Sequence, residues 1–251
     1  MKRFLKLMLF TTVLAYLAVC LALFFGQRSF IYHPTHSNGE IPSRTTSMAV
    51  AGATLKISVR ENDSQNALIY FGGNAEDVAH SLASFEKAFP NHAIYMLHYR
   101  GYSGSTGEPS ENALHEDAQK LYDMVKTKHN KIWVIGRSLG SGVAIHLAAL
   151  HEVSKLILIT PYDSILNLAK QQFPYFPVSL ILSDRFESWK YAPQVKAPTV
   201  ILAADGDQVI PSGNTKILFA AFSQGIADLK IIQNVDHYSI VTTPDYFHLM
   251  Q

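Results

Sequence analysis

The fold of this chain is decided by the stretch IWVIGRSLGSG, residues 132–142. Its first four residues are apolar and rich in β-formers, which predicts a buried strand, and residues 139–151 have helical spacing. A Gly-x-Ser-x-Gly motif between a strand and a helix predicts a sharp turn, because glycines let neighbouring backbones approach closely. Such a turn exposes the serine Oγ at the N-terminus of the helix, so Ser138 is the candidate nucleophile. A glycine-rich turn with a capping serine is the alternative interpretation.

Similar apolar runs recur along the chain and end at Gly, Pro, Asp or Asn. They predict further strands at 67–71, 93–98, 156–160, 199–203 and 229–232, with further helices at 77–89, 111–128 and 215–222. This alternation indicates a mostly parallel sheet with helices on both faces, whose chemistry lies at the C-terminal ends of the strands. A Pro-rich stretch at about 161–198 interrupts the alternation and predicts a small lid of short helices.

A serine nucleophile needs a base, and an imidazole suits this task near neutral pH. His237 follows the last predicted strand, at the same sheet edge as Ser138, and is the candidate base. In this kind of sheet the acid that orients the imidazole comes between the serine and the histidine in the chain. Asp207, in the sequence ADGDQVIP, is the candidate acid, and Asp205 and Asp163 are the alternatives.

An acyl-transfer reaction also needs two backbone N–H donors for its developing oxyanion. One expected donor is Leu139, which directly follows the nucleophile. The other is Asn74, in the sequence GGNA at 72–75, directly after a predicted strand. The alternative interpretation of that loop is a turn and helix start with no catalytic role.

Composition argues against several other classes of function. The 251 residues fit one catalytic domain with a short appendage, and a formal net charge of +1 is too weak to collect nucleic acid. The only cysteine, Cys20, permits neither an intramolecular disulfide nor a thiolate metal cluster. The sequence has no HExxH motif, so we expect no metal and no other cofactor. The oligomeric state stays open.

The N-terminal segment has the pattern of a membrane anchor. Residues 7–25 form an uncharged apolar run that is long enough to cross a bilayer as a helix. Three positive residues precede this run and one follows it: Lys2, Arg3 and Lys6, then Arg28. The pattern predicts an anchor at 1–27 in a single-pass membrane protein, with a cytoplasmic N-terminus and an extracytoplasmic catalytic domain at 28–251. The alternatives are a cleaved signal peptide and lipoprotein processing at Cys20.

Several separated segments carry a resemblance to a known family: YHP at 32–34, GNAED at 73–77, YRGYSGSTG at 99–107, GRSLGSG at 136–142, Asp207 and His237. On these matches, over about residues 28–245, the chain resembles the α/β-hydrolase superfamily. Within it, the chain is most similar to small membrane-anchored serine hydrolases that include protein depalmitoylases and related bacterial proteins. The resemblance implies a triad of Ser138, Asp207 and His237, and a Tyr-Arg-Gly-Tyr loop that shapes the pocket floor. The family's His-Gly-Asn oxyanion motif is Gly72-Gly73-Asn74 here, so its histidine is missing.

The expected fold class is α/β: an α/β-hydrolase fold with a mostly parallel central sheet, helices on both faces and a small lid, preceded by one transmembrane helix. We expect it to hydrolyse a carboxylic ester or thioester in a small-molecule or acylated substrate. An aminopeptidase or amidase with the same triad is the nearest alternative, and a non-catalytic membrane-tethered binding module is the alternative from another class. Apolar lid residues could line an acyl site or form the core of the lid: Phe173, Pro174, Tyr175, Phe176, Pro177, Ile181 and Leu182.

Overall fold

The computed structural model describes residues 1–35 and 44–251, so residues 36–43 of the expected catalytic domain lie outside the described residues. The described chain forms an eight-stranded sheet in the order β1-β2-β4-β3-β5-β6-β7-β8. The strands are β1 (Thr45–Val50), β2 (Ala53–Arg60), β3 (Asn66–Phe71), β4 (Ala93–Leu97), β5 (Lys131–Arg137), β6 (Lys155–Ile159), β7 (Thr199–Ala204) and β8 (Ala227–Ile232). Strands β1 and β2 pair antiparallel, as do β2 and β4, and every other pair is parallel.

Eight α-helices accompany the sheet in the described part of the chain. They are α1 (Lys2–Ile31), α2 (Leu82–Ala88), α3 (Glu111–Lys126), α4 (Leu139–Leu150), α5 (Ile165–Gln172), α6 (Val178–Ile181), α7 (Ser188–Tyr191) and α8 (Ser212–Ala221). Short 3₁₀ helices lie at Val78–Ser81, Ala192–Gln194, Ser239–Thr242 and His248–Met250. The stretch at 161–198 contains α5, α6 and α7 and is called the inserted segment below.

The sheet is buried on both faces, because successive side chains of a strand point to opposite sides. In β5, Val134 packs into a cluster with residues of α3 and α4, whereas Ile135 packs into a second cluster with residues of α2 and the C-terminus. Both side chains are fully buried. Burying a side chain of this size contributes about 1.5–3 kcal/mol. The predicted mostly parallel sheet with helices on both faces is confirmed.

Strands β1 and β2 were not among the predicted strands. In β2 apolar residues alternate with polar ones, whereas β1 begins with three polar residues and lies at the edge of the sheet. A search for continuous apolar runs detects strands that are buried on both faces, and it misses strands that contain several polar residues, such as these two. The two strands form a hairpin across Ala51 and Gly52, and Gly52 has a positive φ of 73°.

Helix α1 is exposed along most of its length. Its most apolar 18-residue window has a mean hydropathy of 2.4, and none of that window is buried. A helix of this length and composition can cross a membrane, so α1 is a candidate transmembrane helix. The helix continues past residue 27, the expected end of the anchor, to Ile31. Its last turns therefore reach the folded domain without a break in the helix.

Candidate active site

Ser138 occupies a strained turn between β5 and α4. Its φ is +49° and its ψ is −118°, a conformation that residues other than glycine rarely adopt. The Ser138 N–H donates to the Ile159 carbonyl at 2.9 Å and so ties the turn to β6. A Cβ on Gly136 would lie 2.4 Å from the Gly140 carbonyl oxygen, and a Cβ on Gly140 would lie 2.1 Å from that of Phe71. Both glycines are therefore required for the turn to pack against the sheet.

A chain of hydrogen bonds joins Ser138, His237 and Asp207. His237 Nε2 lies 3.0 Å from Ser138 Oγ, and His237 Nδ1 lies 2.8 Å from Asp207 Oδ2. Asp207 follows β7 and His237 follows β8, so both reach Ser138 from the C-terminal ends of parallel strands. The side chains of the histidine and the aspartate are only 6% and 4% exposed. The structure thus brings together the three residues that the sequence singles out.

The second oxygen of the Asp207 carboxylate is also held in place. Asp207 Oδ1 accepts hydrogen bonds from the backbone N–H groups of Val209, at 2.9 Å, and Ile210, at 2.7 Å. These donors lie in the turn that begins α8, and the Ile210 side chain is buried. With Oδ1 occupied, Oδ2 is left to face the imidazole of His237.

Asp205, one alternative acid, has a different task. Its carboxylate accepts a hydrogen bond from the Val235 N–H at 3.3 Å. Its pKa lies below the ordinary value, chiefly because of a backbone hydrogen bond from Asn234. Asp205 thus fastens the loop that carries His237, and no hydrogen bond joins its carboxylate to the imidazole.

Asp163, the other alternative, lies in a separate buried network. Its Oδ1 accepts from the Asn214 side-chain amide at 2.7 Å, and its Oδ2 accepts from the side chains of Asn167 and Ser164. These bonds join the start of the inserted segment to α5 and α8. The carboxylate therefore stabilises the inserted segment rather than facing His237.

The loop at 72–75 lies against the nucleophile turn. A Cβ on Gly73 would be 3.7 Å from the Cβ of Ser138. Leu139 and Asn74 both line the cavity beside Ser138. Within residues 1–35 and 44–251, neither of their backbone N–H groups has a hydrogen-bond acceptor. Two unoccupied N–H groups beside the serine are the arrangement that an oxyanion requires.

The two tyrosines of the Tyr-Arg-Gly-Tyr loop hold the loop at 72–75, which carries the candidate oxyanion donor. Tyr99 donates its hydroxyl to the Gly72 carbonyl at 2.9 Å. Tyr102 donates to the Asn74 carbonyl at 2.7 Å and accepts from the His33 N–H at 3.0 Å. Burial raises the pKa of both hydroxyls, that of Tyr102 to about 12, so both remain protonated donors. Both hydroxyls bond backbone carbonyls of the loop, and neither tyrosine is among the residues that line the cavity beside Ser138.

Glu76 connects the loop at 72–75 to the turn that carries Ser138. Its Oε2 accepts from the Gly73 N–H at 3.0 Å and from Arg137 Nη1 at 3.1 Å. Its Oε1 accepts from the hydroxyls of Tyr70, at 2.8 Å, and Ser81, at 3.1 Å. The glutamate and arginine side chains are only 11% and 16% exposed. This ion pair is therefore a mostly buried link between two loops of the site.

Sequence reasoning gave Glu76 and Arg137 no role, although one signal was available. Glu76 comes two residues after the candidate donor Asn74, and Arg137 comes directly before Ser138. Opposite charges at these positions can pair if the two turns meet at one sheet edge, as the parallel strands require.

An apolar cavity of about 240 Å³ opens beside Ser138. Its polar lining residues are Gln27, Asn74, Ser138, Tyr162 and Gln172. The rest of the lining is aliphatic or aromatic: Leu23, Phe30, Ile31, Leu139, Ile165, Leu168, Ala169, Phe173, Phe176, Val178, Ile181, Leu182, Val209 and Ile210. Several apolar residues of the expected lid therefore line the cavity.

A pair of stacked histidines lies outside this site. The rings of His115 and His146 are parallel, with centroids 3.7 Å apart. Burial lowers the pKa of His115 to about 3 and that of His146 to about 4, so both are neutral at neutral pH. In the described ranges, no group of three or more His, Cys, Asp or Glu side chains is placed to hold a metal ion.

Comparisons with known proteins agree with this fold. A family profile for the alpha/beta hydrolase fold matches residues 66–185. Protein bem46 of Schizosaccharomyces pombe is 30% identical over 209 residues, which cover 77% of this chain and 70% of that protein. Lysophosphatidylserine lipase ABHD12 of Xenopus tropicalis is 31% identical over 163 residues, which cover 55% of this chain and 42% of that protein. A solved structure of the Pyrococcus furiosus esterase Pf2001 superposes with a TM-score of 0.64 at 16% identity, covering 84% of this chain and 92% of that one. At that identity the likeness concerns the fold alone.

Proposed function

This chain belongs to the α/β-hydrolase superfamily, and we therefore propose that it is a serine hydrolase acting on carboxylic esters or thioesters. In this proposal Ser138 is the nucleophile, His237 is the base, and Asp207 is the acid that orients the imidazole. The observation that carries the proposal is the hydrogen-bonded chain from Ser138 Oγ through His237 to Asp207, with distances of 3.0 and 2.8 Å.

The proposed mechanism starts from that chain. Ser138 Oγ attacks the carbonyl carbon while His237 Nε2 takes its proton, and the Asp207 carboxylate stabilises the imidazolium that forms. The imidazolium then gives its proton to the departing alcohol or thiol, and the acyl group stays on Ser138. A water molecule that is deprotonated by the same imidazole hydrolyses this acyl-enzyme and restores the serine.

The oxyanion of both tetrahedral intermediates would be held by the backbone N–H groups of Leu139 and Asn74. Removing a single donor of this kind typically costs about 10²–10³ in turnover, so the position of the Asn74 peptide matters. In this proposal Tyr102 and Glu76 act as positioning residues, because they hold that loop without facing the cavity.

The lining of the cavity favours an acyl group over a peptide. Aliphatic and aromatic side chains dominate it, and none of its lining residues carries a charge that could bind a peptide terminus. An ester or thioester with an apolar acyl part fits such a site better than a polar amide substrate. The name of one relative, lysophosphatidylserine lipase ABHD12, agrees with this choice.

We also propose that α1 anchors the protein, with its N-terminus in the cytoplasm and the hydrolase domain at 28–251 on the other side. Lys2, Arg3 and Lys6 lie at the start of the helix, and positive residues near a span favour the cytoplasmic side.

A fluorophosphonate probe, which reacts with activated serines, tests the proposal on the full-length protein in detergent micelles. We expect one label per chain, and Ser138→Ala should abolish both labelling and the hydrolysis of aryl esters and thioesters. Ser223→Ala, an exposed serine outside the site, is the control and should keep both.

Other outcomes would separate the alternatives. Labelling that persists in Ser138→Ala would move the nucleophile elsewhere. Faster cleavage of an aryl amide than of the matching ester would favour an amidase. A folded wild-type protein with neither label nor turnover would favour a non-catalytic binding module.

A further inference from the structure

The last turns of α1 form part of the cavity beside Ser138. Leu23, Gln27, Phe30 and Ile31 line it together with residues of the inserted segment. These positions are spaced by three or four residues or are adjacent, so they share one side of the helix. The helix that is a candidate membrane span is therefore also a wall of the site.

Polar contacts fix this wall to the inserted segment. Gln27 is buried, with its Oε1 accepting from the Ser183 N–H at 2.6 Å and its Nε2 donating to the Ile181 carbonyl at 3.1 Å. Asp184 accepts from Arg28 Nε at 3.2 Å and from the Tyr32 hydroxyl at 3.0 Å. The carbonyl and the amino group of the Gln27 side chain both bond the backbone of the inserted segment, so they fix the position of α1 along that segment.

Aromatic contacts extend the same interface toward the middle of α1. The Tyr16 ring stacks on Phe176 with centroids 5.8 Å apart, and the Tyr16 hydroxyl donates to the Tyr175 carbonyl at 3.0 Å. Phe30 meets Phe173 edge to face at 6.3 Å. The inserted segment thus runs along the half of α1 that leads into the domain.

The length of α1 places this interface at the membrane. A helix of 30 residues is about 45 Å long, whereas the hydrocarbon core of a bilayer is about 30 Å thick. Contacts as early as Tyr16 therefore fall within the part of the helix that would be embedded. Apolar side chains of the inserted segment are exposed beside it: Tyr175 is 86% and Leu180 is 84% exposed.

Phe30 marks where the cavity meets this surface. Its side chain lines the cavity and is nevertheless 60% exposed. A residue that satisfies both conditions lies at a mouth of the cavity rather than in its depth, and Gln172 and Val209 also satisfy them, away from α1. The mouth beside Phe30 is flanked by α1 and lies five residues past the apolar run at 7–25, or about 7.5 Å along the helix, so it faces the headgroup edge of the bilayer if α1 spans one.

We propose that α1 is one wall of the acyl site, and that the cavity takes the acyl chain of a membrane lipid that enters along α1 from the bilayer. The proposal rests on the proposed ester hydrolysis at Ser138 and adds the origin of the substrate. In it, Leu23 is a residue that determines specificity, because it lies on the cavity wall farthest along α1 from the domain.

The test uses the full-length protein in lipid nanodiscs and compares Leu23→Trp with Leu21→Trp. Both substitutions enlarge a leucine of the same helix, but Leu21 is 58% exposed and does not line the cavity. With p-nitrophenyl esters of four and sixteen carbons, Leu23→Trp should lower kcat/KM for the long ester by about tenfold relative to the short one. Leu21→Trp should leave that ratio within about twofold of the wild-type value.

A second measurement does not need turnover. A long-chain alkyl ether lipid that carries a diazirine cannot be hydrolysed, and it should label residues 23–31 in a way that excess unlabelled ether suppresses. Unchanged chain-length preference in a folded Leu23→Trp, together with labelling that is not suppressed, would overturn the proposal. Suppressible labelling in a wild-type protein that hydrolyses no ester would instead keep the acyl site and overturn the proposed hydrolysis.

Discussion

The Arg137 guanidinium lies 3.1 Å from the Glu76 carboxylate, so the residue before the candidate nucleophile is paired with the loop that supplies a candidate oxyanion donor. The same carboxylate accepts the Gly73 N–H. One side chain therefore sets the distance between two loops that would act on the same carbonyl oxygen.

Glu76→Gln should lower both activity and stability. An amide keeps a hydrogen-bond acceptor for the Gly73 N–H but removes the charge opposite Arg137, and breaking a buried pair from one side costs about 3–5 kcal/mol. Because the pair is partly exposed, we expect a loss of about 2–3 kcal/mol by thermal unfolding and a fall of roughly tenfold or more in kcat. Glu61→Gln, in an exposed pair with Lys128, is the control and should change neither. Equal effects of the two substitutions would contradict the linking role.

Asp207→Asn should lower turnover far more than Asp205→Asn does. Without its orienting acid the imidazole takes the wrong tautomer, and in serine proteases with this kind of triad the loss is about 10⁴-fold. We expect a fall on the order of 10²–10⁴ for Asp207→Asn, with the circular dichroism spectrum unchanged. Asp205→Asn should change kcat by less than about tenfold, since that carboxylate fastens a loop. If Asp205→Asn is the more damaging of two folded variants, Asp205 is the acid.

Tyr102→Phe should lower kcat by about tenfold and leave KM nearly unchanged. The substitution removes the hydroxyl that donates to the Asn74 carbonyl and accepts from the His33 N–H, and it leaves these two backbone groups bonded only to each other, at 3.0 Å. Tyr122→Phe is a matched control, because the Tyr122 hydroxyl also donates to a backbone carbonyl, that of Glu152, away from the site. Both variants lose the hydrogen bonds of one hydroxyl and should lose about 0.5–1.5 kcal/mol of stability, but only Tyr102→Phe should lose kcat. Similar kcat values would show that the hydroxyl acts on stability alone.

The stacked pair of His115 and His146 should make the fold sensitive to mild acid. Burial depresses both pKa values in the folded protein, so the unfolded chain binds protons first as the pH falls below about 6.5. Stability should therefore be unaffected above that pH and decline toward pH 4, by about 1–2 kcal/mol per histidine at pH 5. His146→Phe keeps an aromatic ring and should reduce the fall in Tm between pH 7 and pH 5. His248→Phe, at an exposed position, is the control and should show the same fall in Tm as the wild type. A wild-type fall in Tm for His146→Phe would show that the histidine pair is not responsible.

The orientation of α1 can be measured with a reporter fused after Gln251. We expect activity of a reporter that works only outside the cytoplasm, and recovery in membranes after a high-salt wash. Replacing Lys2, Arg3 and Lys6 by glutamate should weaken this orientation. A soluble product with a shortened N-terminus would identify the segment as a cleaved signal peptide.

Much of this site could be predicted from sequence because its main residues follow buried strands. Continuous apolar runs mark the strands before Asn74, Ser138 and Asp207, and parallel strands bring the residues after them to one edge. The start of α8 was less well predicted. It begins at Ser212, directly after Pro211, three residues before the predicted position.

The residues that hold the candidate site in place could not be predicted from the sequence, for a physical reason. The bonds of Asp207 to Val209 and Ile210 depend on the local path of a turn, which apolar periodicity does not describe. The contacts of α1 with the inserted segment join positions more than 150 apart in the chain. The apolar run at 7–25 predicts only an anchor, because its pattern does not reveal that the helix continues to Ile31 or that one side of it lines the cavity.

The wall that α1 contributes has a consequence for the energy of substrate capture. Withdrawing an acyl chain of ~16 carbons from a bilayer into water costs about 0.8 kcal/mol per methylene, or about 12 kcal/mol in total. A chain that slides along Leu23 and Phe30 into the cavity never crosses that aqueous barrier, because it exchanges one apolar surrounding for another. Only the polar end of the lipid has to move. Turnover would then respond to bilayer thickness, since thickness sets the depth of the cavity mouth relative to the lipid carbonyls.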